Sequence, residues 1–122
     1  MRVNHVCIGG RLGADPEIRH TPSGKKVASF GLAYSPRKDE THWFDITAWE
    51  KNADFAEEWL RKGSTVLVEG RLQKETWEKD GQKRSTVRIV AFNIQPTVWE
   101  RREELDDPVP HLREPDDQGI PF

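Results

Sequence analysis

One cysteine, one methionine and one tyrosine occur among the 122 residues, and no apolar run approaches the length that a membrane helix needs. The lone Cys7 cannot close an internal disulfide and sits in an apolar stretch, so a buried, reduced thiol is expected. Met1-Arg2-Val3-Asn4-His5 leads into a short alternating segment with neither the pattern of a signal peptide nor that of a span. A cytoplasmic protein without a membrane partner follows as the expectation. The length of 122 residues allows one small core and excludes an enzyme built around an interdomain cleft, and apolar residues are themselves sparse, 34% against 33% charged, which suggests a disordered portion or a wide solvated surface. His5, His20, His42 and His111 show no ligand spacing, and Asp15-Pro16-Glu17 reads as a turn. No metal, no cofactor, no catalytic residue and no enzymatic activity are therefore expected.

The net charge of −2 hides an uneven distribution: residues 1–98 carry +3 and residues 99–122 carry −5. A mildly basic body and an acidic tail fit a body that meets a polyanion and a tail that does not. The tail, rich in Asp, Glu and Pro, buries too little apolar surface to fold by itself and is expected to be disordered. Yet it ends on Asp116-Asp117-Gln118-Gly119-Ile120-Pro121-Phe122. Paired carboxylates before an exposed Ile120, Pro121 and Phe122 make a compact docking peptide for a basic rim around a hydrophobic pocket.

The body reads as five strands and one helix. Residues 4–12 alternate with period two around Gly9-Gly10, where a bulge or coil is expected. Turn chemistry at Asp15-Pro16 and at Thr21-Pro22-Ser23-Gly24 precedes a second strand at 27–34. Further strands are expected at 42–49, 65–77 and 84–94, the last two joined by a flexible connection over 78–83. Between the third and fourth lies a helix at about 52–62, capped by Asn52 or Asp54, with Gly63 after its last turn. Phe55, Ala56, Trp59 and Leu60 share its face, which makes Trp59 a core residue. That order predicts an all-β domain over residues 1–98: a five-stranded OB-fold barrel with one helix between strands 3 and 4.

Alternation in the third strand puts Phe44, Ile46 and Ala48 on one face and Trp43, Asp45, Thr47 and Trp49 on the other. The first set is wholly apolar and belongs to the core, so two indoles point to solvent. In the fourth strand Leu67, Glu69, Arg71, Gln73, Glu75 and Trp77 fall on one side, with Gly70 able to shift the register. Lys51, Arg71, Lys74 and Arg84, together with Lys79, Lys83 and Arg88, surround these tryptophans. Flat aromatics among cations suit single-stranded nucleic acid, which offers a π-face at every base and a charge at every phosphate.

Asn4-His5-Val6-Cys7-Ile8-Gly9-Gly10-Arg11-Leu12-Gly13, then Asp15-Pro16-Glu17-Ile18-Arg19, then Trp59-Leu60-Arg61-Lys62-Gly63-Ser64-Thr65-Val66-Leu67-Val68-Glu69-Gly70-Arg71-Leu72 resemble the bacterial single-stranded DNA-binding protein family. The resemblance covers about residues 1–98 and resumes at Asp116 to Phe122. It implies an OB fold, a homotetramer and sequence-independent binding of single-stranded DNA in replication, recombination and repair. It implies stacking by Trp43, Trp49 and Trp77, a tip that recruits replication and repair proteins, and a cytoplasmic, nucleoid-associated location. A dimer contact is expected on the first strand near Asn4, Cys7 and Gly9. The loop at 35–41 departs from the pattern, with Pro36, Arg37 and Lys38 where some relatives carry a tryptophan, and the tail is short. An OB-fold primosomal-type adaptor or a cold-shock-like RNA-binding module is the alternative, against which the Ile120-Pro121-Phe122 ending argues.

Overall fold

The computed structural model describes residues 1–97. Its elements in chain order are β1 (Val6–Leu12), β2 (Glu17–His20), β3 (Lys26–Arg37), β4 (Glu40–Trp49), α1 (Lys51–Trp59), β5 (Thr65–Lys79) and β6 (Gln82–Pro96). Hydrogen-bonded neighbours run β1-β5-β6-β4-β3-β2, and β1 also pairs with β3. Five strands thus close into a barrel consistent with the OB fold, with β2 added outside β3. Alternation predicts five strands with the helix between the third and fourth; the described residues form six strands, and the helix follows β4. Glu17–His20 carries a single apolar residue, Ile18, which is too little alternation to mark a strand; its pairing with β3, from Glu17↔Ser29 to His20↔Lys26, is what makes it one.

Closure needs backbones to approach where a side chain would intrude. β1 pairs with β5 from Val6↔Gly70 to Arg11↔Thr65 and then passes to β3 through Arg11↔Ala33 and Leu12↔Leu32. At that crossing a Cβ on Gly10 would collide with the Ala33 carbonyl, and where β5 passes the bulge in β6 one on Gly70 would collide with the Val90 carbonyl. β4 and β6 run parallel, Ile46 beside Ile89 and Ala48 beside Ala91. In β6 the residues facing inward are Ile89 and Ala91, then Ile94 and Pro96, an odd step. The step is absorbed by a bulge: Glu69 pairs with Asn93 and Gly70 with Ala91, leaving Phe92 as the extra residue, pointing outward.

The core joins Leu12, Ala28, Phe30, Leu32, Ile46, Ala48, Val66, Val68, Ile89, Ala91 and Ile94. α1 lies on it through buried Ala53 and Ala56, with Leu60 fully buried just beyond the helix. Phe55 and Trp59, rings 6.2 Å apart, are half-buried at its margin, so Trp59 flanks the core and does not fill it. The helix is shorter than expected because Leu60 is already extended. Asn52 and Asp54 do not cap it: the N-cap is Glu50, without a side-chain cap bond. Asn52 instead bonds the Ala91 carbonyl at 3.3 Å, and Asp54 and Glu57 both hold Lys26 of β3, Asp54 Oδ1 at 2.8 Å.

Two further expectations are revised. Cys7 is exposed, because in β1 the inward positions are Ile8, Gly10 and Leu12. The β5–β6 connection is a two-residue turn, Asp80-Gly81, with ladder pairing continuing to Lys79↔Gln82. Both turn residues have positive φ, 53° and 79°, the conformation that Asp-Gly favours in a hairpin. Residues 99–122, expected to be a disordered tail, lie outside the described residues, as do Asp116, Asp117, Ile120, Pro121 and Phe122.

The clasp on Lys26 has a pH signature. Hydrogen bonds from the ammonium, to Asp54 first and then to Glu57, hold its pKa above the ordinary lysine value against the smaller effect of burial. A pKa raised by folding adds stability that is fully present below the unfolded value, about 10.4, and is lost as pH rises through the folded one. In chemical denaturation Lys26→Met should therefore be less stable than wild type at neutral pH, and the two should converge in that alkaline window. A gap that stays constant through it would contradict the clasp.

Candidate nucleic-acid interface

The parity of β4 fixes the site. Ile46 and Ala48 are fully buried and Phe44 is half-buried, so Trp43 and Trp49 must lie on the opposite face, where they are 61% and 38% exposed. Nothing in folding requires a tryptophan to stay this accessible. Trp43 rests on backbone bare of side chains: a Cβ built on Gly13 would fall 2.5 Å from its ring, and one on Gly31 3.6 Å away. Glycine at these two positions lets the indole lie low against the sheet.

The neighbouring strands carry this face onward. Thr47 of β4 sits beside Val90 of β6, which pairs with Arg71 of β5. Moving outward along the hairpin, the pairs on the same face are Gln73↔Arg88, Glu75↔Thr86 and Trp77↔Arg84. Trp77, 44% exposed, therefore stands on the same face of the ladder as Trp43 and Trp49, directly opposite Arg84. Arg88 Nε lies 3.3 Å from Glu75 Oε1, an ion pair across the two strands. The face presents three indoles with Arg71, Arg84 and Arg88 among them.

Not all the expected cations share it. Lys74 pairs with Val87, one residue out of phase with Gln73 and Glu75, and so sits on the other face of the hairpin. Lys51 is exposed at the first residue of α1, two positions after Trp49. Ser29 of β3, paired with Thr47, leaves no signal in the sequence, because which residue lies beside Thr47 depends on pairing that alternation alone cannot supply. Among the described residues no group of three or more His, Cys, Asp or Glu side chains is placed to hold a metal ion. No helix there is long and apolar enough to cross a membrane.

Residues 3–97, the whole barrel, match the profile of the Single-strand binding protein family. The chain belongs to that family. It is 42% identical to the single-stranded DNA-binding protein of Aquifex aeolicus (strain VF5) over 127 residues, covering 92% of this chain and 84% of that protein. It is 38% identical over 100 residues to the protein of the same name from Treponema pallidum (strain Nichols) and 40% over 104 residues to that of Neisseria meningitidis serogroup A (strain Z2491). Of those two the matched part spans 57% and 60%.

The seat of Trp43 is open to a direct check. Gly13→Ala should push the indole off the sheet and move the NMR resonance of its ring N–H, leaving those of Trp49 and Trp77 in place. An unmoved Trp43 resonance would contradict the packing over Gly13.

Proposed function

We propose that this protein binds single-stranded DNA without regard to sequence, stacking bases on Trp43, Trp49 and Trp77 while Arg71, Arg84 and Lys51 meet phosphates. The observation that carries the reading is the run of exposed indoles on one face of β4, β6 and β5, interleaved with cations. A base stacked on an aromatic ring contributes about 1–3 kcal/mol and any base can do it, so three rings give affinity without readout of edges. Duplex DNA hides its base faces within the stack, and only its phosphates remain to be bound. The names of the relatives support the same ligand. Lys74, on the other face of the hairpin, reaches only a strand that wraps around the arm.

The reading extends to a binding protein with no catalytic step, acting in the cytoplasm on DNA exposed in replication, recombination and repair. Four copies join as a homotetramer, with the exposed strip of β1 around Cys7 as a contact. Asn4 ties that strip down, its side chain bonding both the N–H and the carbonyl of Leu72 at 2.8 Å. A monomer mass in light scattering would contradict the tetramer. Asp116, Asp117, Ile120, Pro121 and Phe122 dock replication and repair proteins, as their paired carboxylates and apolar side chains suit. Deleting Phe122 should abolish capture of such partners and leave DNA affinity unchanged or slightly higher; capture that survives would contradict the docking role.

Titration of tryptophan fluorescence with poly(dT) and with duplex tests the ligand. Strong quenching by the single strand is expected, weakening as salt rises because phosphate contacts release counterions. Trp43→Ala, Trp49→Ala and Trp77→Ala should each cost about 1–3 kcal/mol of binding with little change in Tm, since all three rings are exposed. Duplex of equal length binding as tightly as single strand would overturn the stacking reading.

A further inference from the structure

Two carboxylates share the outer face with the tryptophans and their cations. Asp45 lies on the outward parity of β4 between Trp43 and Trp49, exposed, and pairs with Gly31 of β3, which has no side chain to screen it. It has no ion-pair partner among the described residues. Glu75 stands on the same side of the β5–β6 arm as Trp77, with its side chain 46% exposed. It also lines a pocket beside Trp49, together with Ser29, Thr47 and Arg88. Its ion-pair partner is Arg88, whose Nε lies 3.3 Å away, buried and without a hydrogen bond. That nitrogen is committed to Glu75 and closed to a phosphate. An ion pair this exposed contributes little to folding, and an unpaired surface carboxylate contributes nothing through pairing. Folding therefore does not account for either acid, and both oppose the approach of a polyanion.

We propose that Asp45 and Glu75 are affinity-limiting residues: they repel the phosphate backbone, and Glu75 cancels the charge of Arg88, so that a bound strand leaves faster than the remaining cations would allow. The inference deepens the single-strand reading and rests on it. Stacking is indifferent to these charges, whereas phosphate contacts are not, so the two acids weaken only the electrostatic part of binding. Among variants of one interface, affinity changes appear mostly in the dissociation rate. A protein that coats DNA without reading it has to give the strand up again. Carboxylates set among the stacking rings shorten its residence without removing a ring.

Glu75→Gln and Asp45→Asn remove each charge and keep the shape; Arg88→Gln and the double variant Glu75→Gln/Arg88→Gln complete a cycle. Tm, affinity for an oligo(dT) and the dissociation rate are measured for each at low and high salt. Glu75→Gln and Asp45→Asn should each bind about threefold tighter at low salt, the size of one carboxylate–phosphate repulsion across water, and dissociate more slowly. The gain should vanish at high salt, where the repulsion is screened. Arg88→Gln leaves Glu75 unopposed and should bind about threefold more weakly, and the double variant should return to wild type. Glu75→Gln with a lowered Tm and unchanged affinity would make the pair a strap across the arm and overturn the proposal. A double variant as weak as Arg88→Gln alone would also overturn it, by placing Arg88 on a phosphate. Wild type failing to bind oligo(dT) at all would instead remove the single-strand reading itself.

Discussion

Barrel closure is the constraint on which the rest depends. β1 has to pair with β5 along one edge and with β3 along the other, and the crossing leaves no room for a side chain at Gly10. Gly70 meets the same demand against the Val90 carbonyl, where β5 passes the bulge in β6. A side chain at either point would push strands apart at a closed seam, and overpacking of that kind costs about 1–3 kcal/mol. With the seam closed, each strand has a fixed inward parity, switched only in β6 by its bulge, and no freedom to slip, since a slip of one residue would exchange its two faces.

The outer face follows from that fixed register. Ile46 and Ala48 are committed to the core, which commits Trp43, Thr47 and Trp49 to the outside. The Phe92 bulge keeps Ile94 and Pro96 facing inward after Ile89 and Ala91, so β6 serves the core on both sides of an odd step. Beyond the barrel the β5–β6 arm has no core to serve, and its residues from Arg71 to Arg84 are exposed nearly throughout. There the same alternation simply sorts Trp77, Arg84 and Arg88 to the side of the β4 tryptophans and Lys74 to the other. Folding and the proposed stacking surface thus share one geometric rule.

Much of this was legible in the sequence, and what was not has physical reasons. Period-two alternation marks the strands that line the core, and in β4 it already separates the two tryptophans from Ile46 and Ala48. β2 was missed because an edge strand with one apolar residue leaves no periodic trace; pairing with β3 alone defines it. Cys7 was assigned to the core on the company it keeps in sequence, whereas parity, set by Gly10 and Leu12, turns it out. The helix start is legible to within a residue, but its cap is not, because Asp54 looks like a cap and is instead spent on Lys26. The pocket beside Trp49 was beyond reach altogether, since Ser29, Thr47 and Arg88 come together only through pairing across three strands.

Stacking on the exposed face is best tested by solvent access to individual indoles. Variants that each retain one of Trp43, Trp49, Trp77 or Trp59, with phenylalanine at every other tryptophan position so that stacking rings remain, can be quenched with acrylamide, free and saturated with oligo(dT). The expected result is that DNA shields Trp43, Trp49 and Trp77 strongly and leaves Trp59, on the helix, as accessible as before. Equal shielding of all four, or none at the three exposed rings, would contradict single-strand binding on this face.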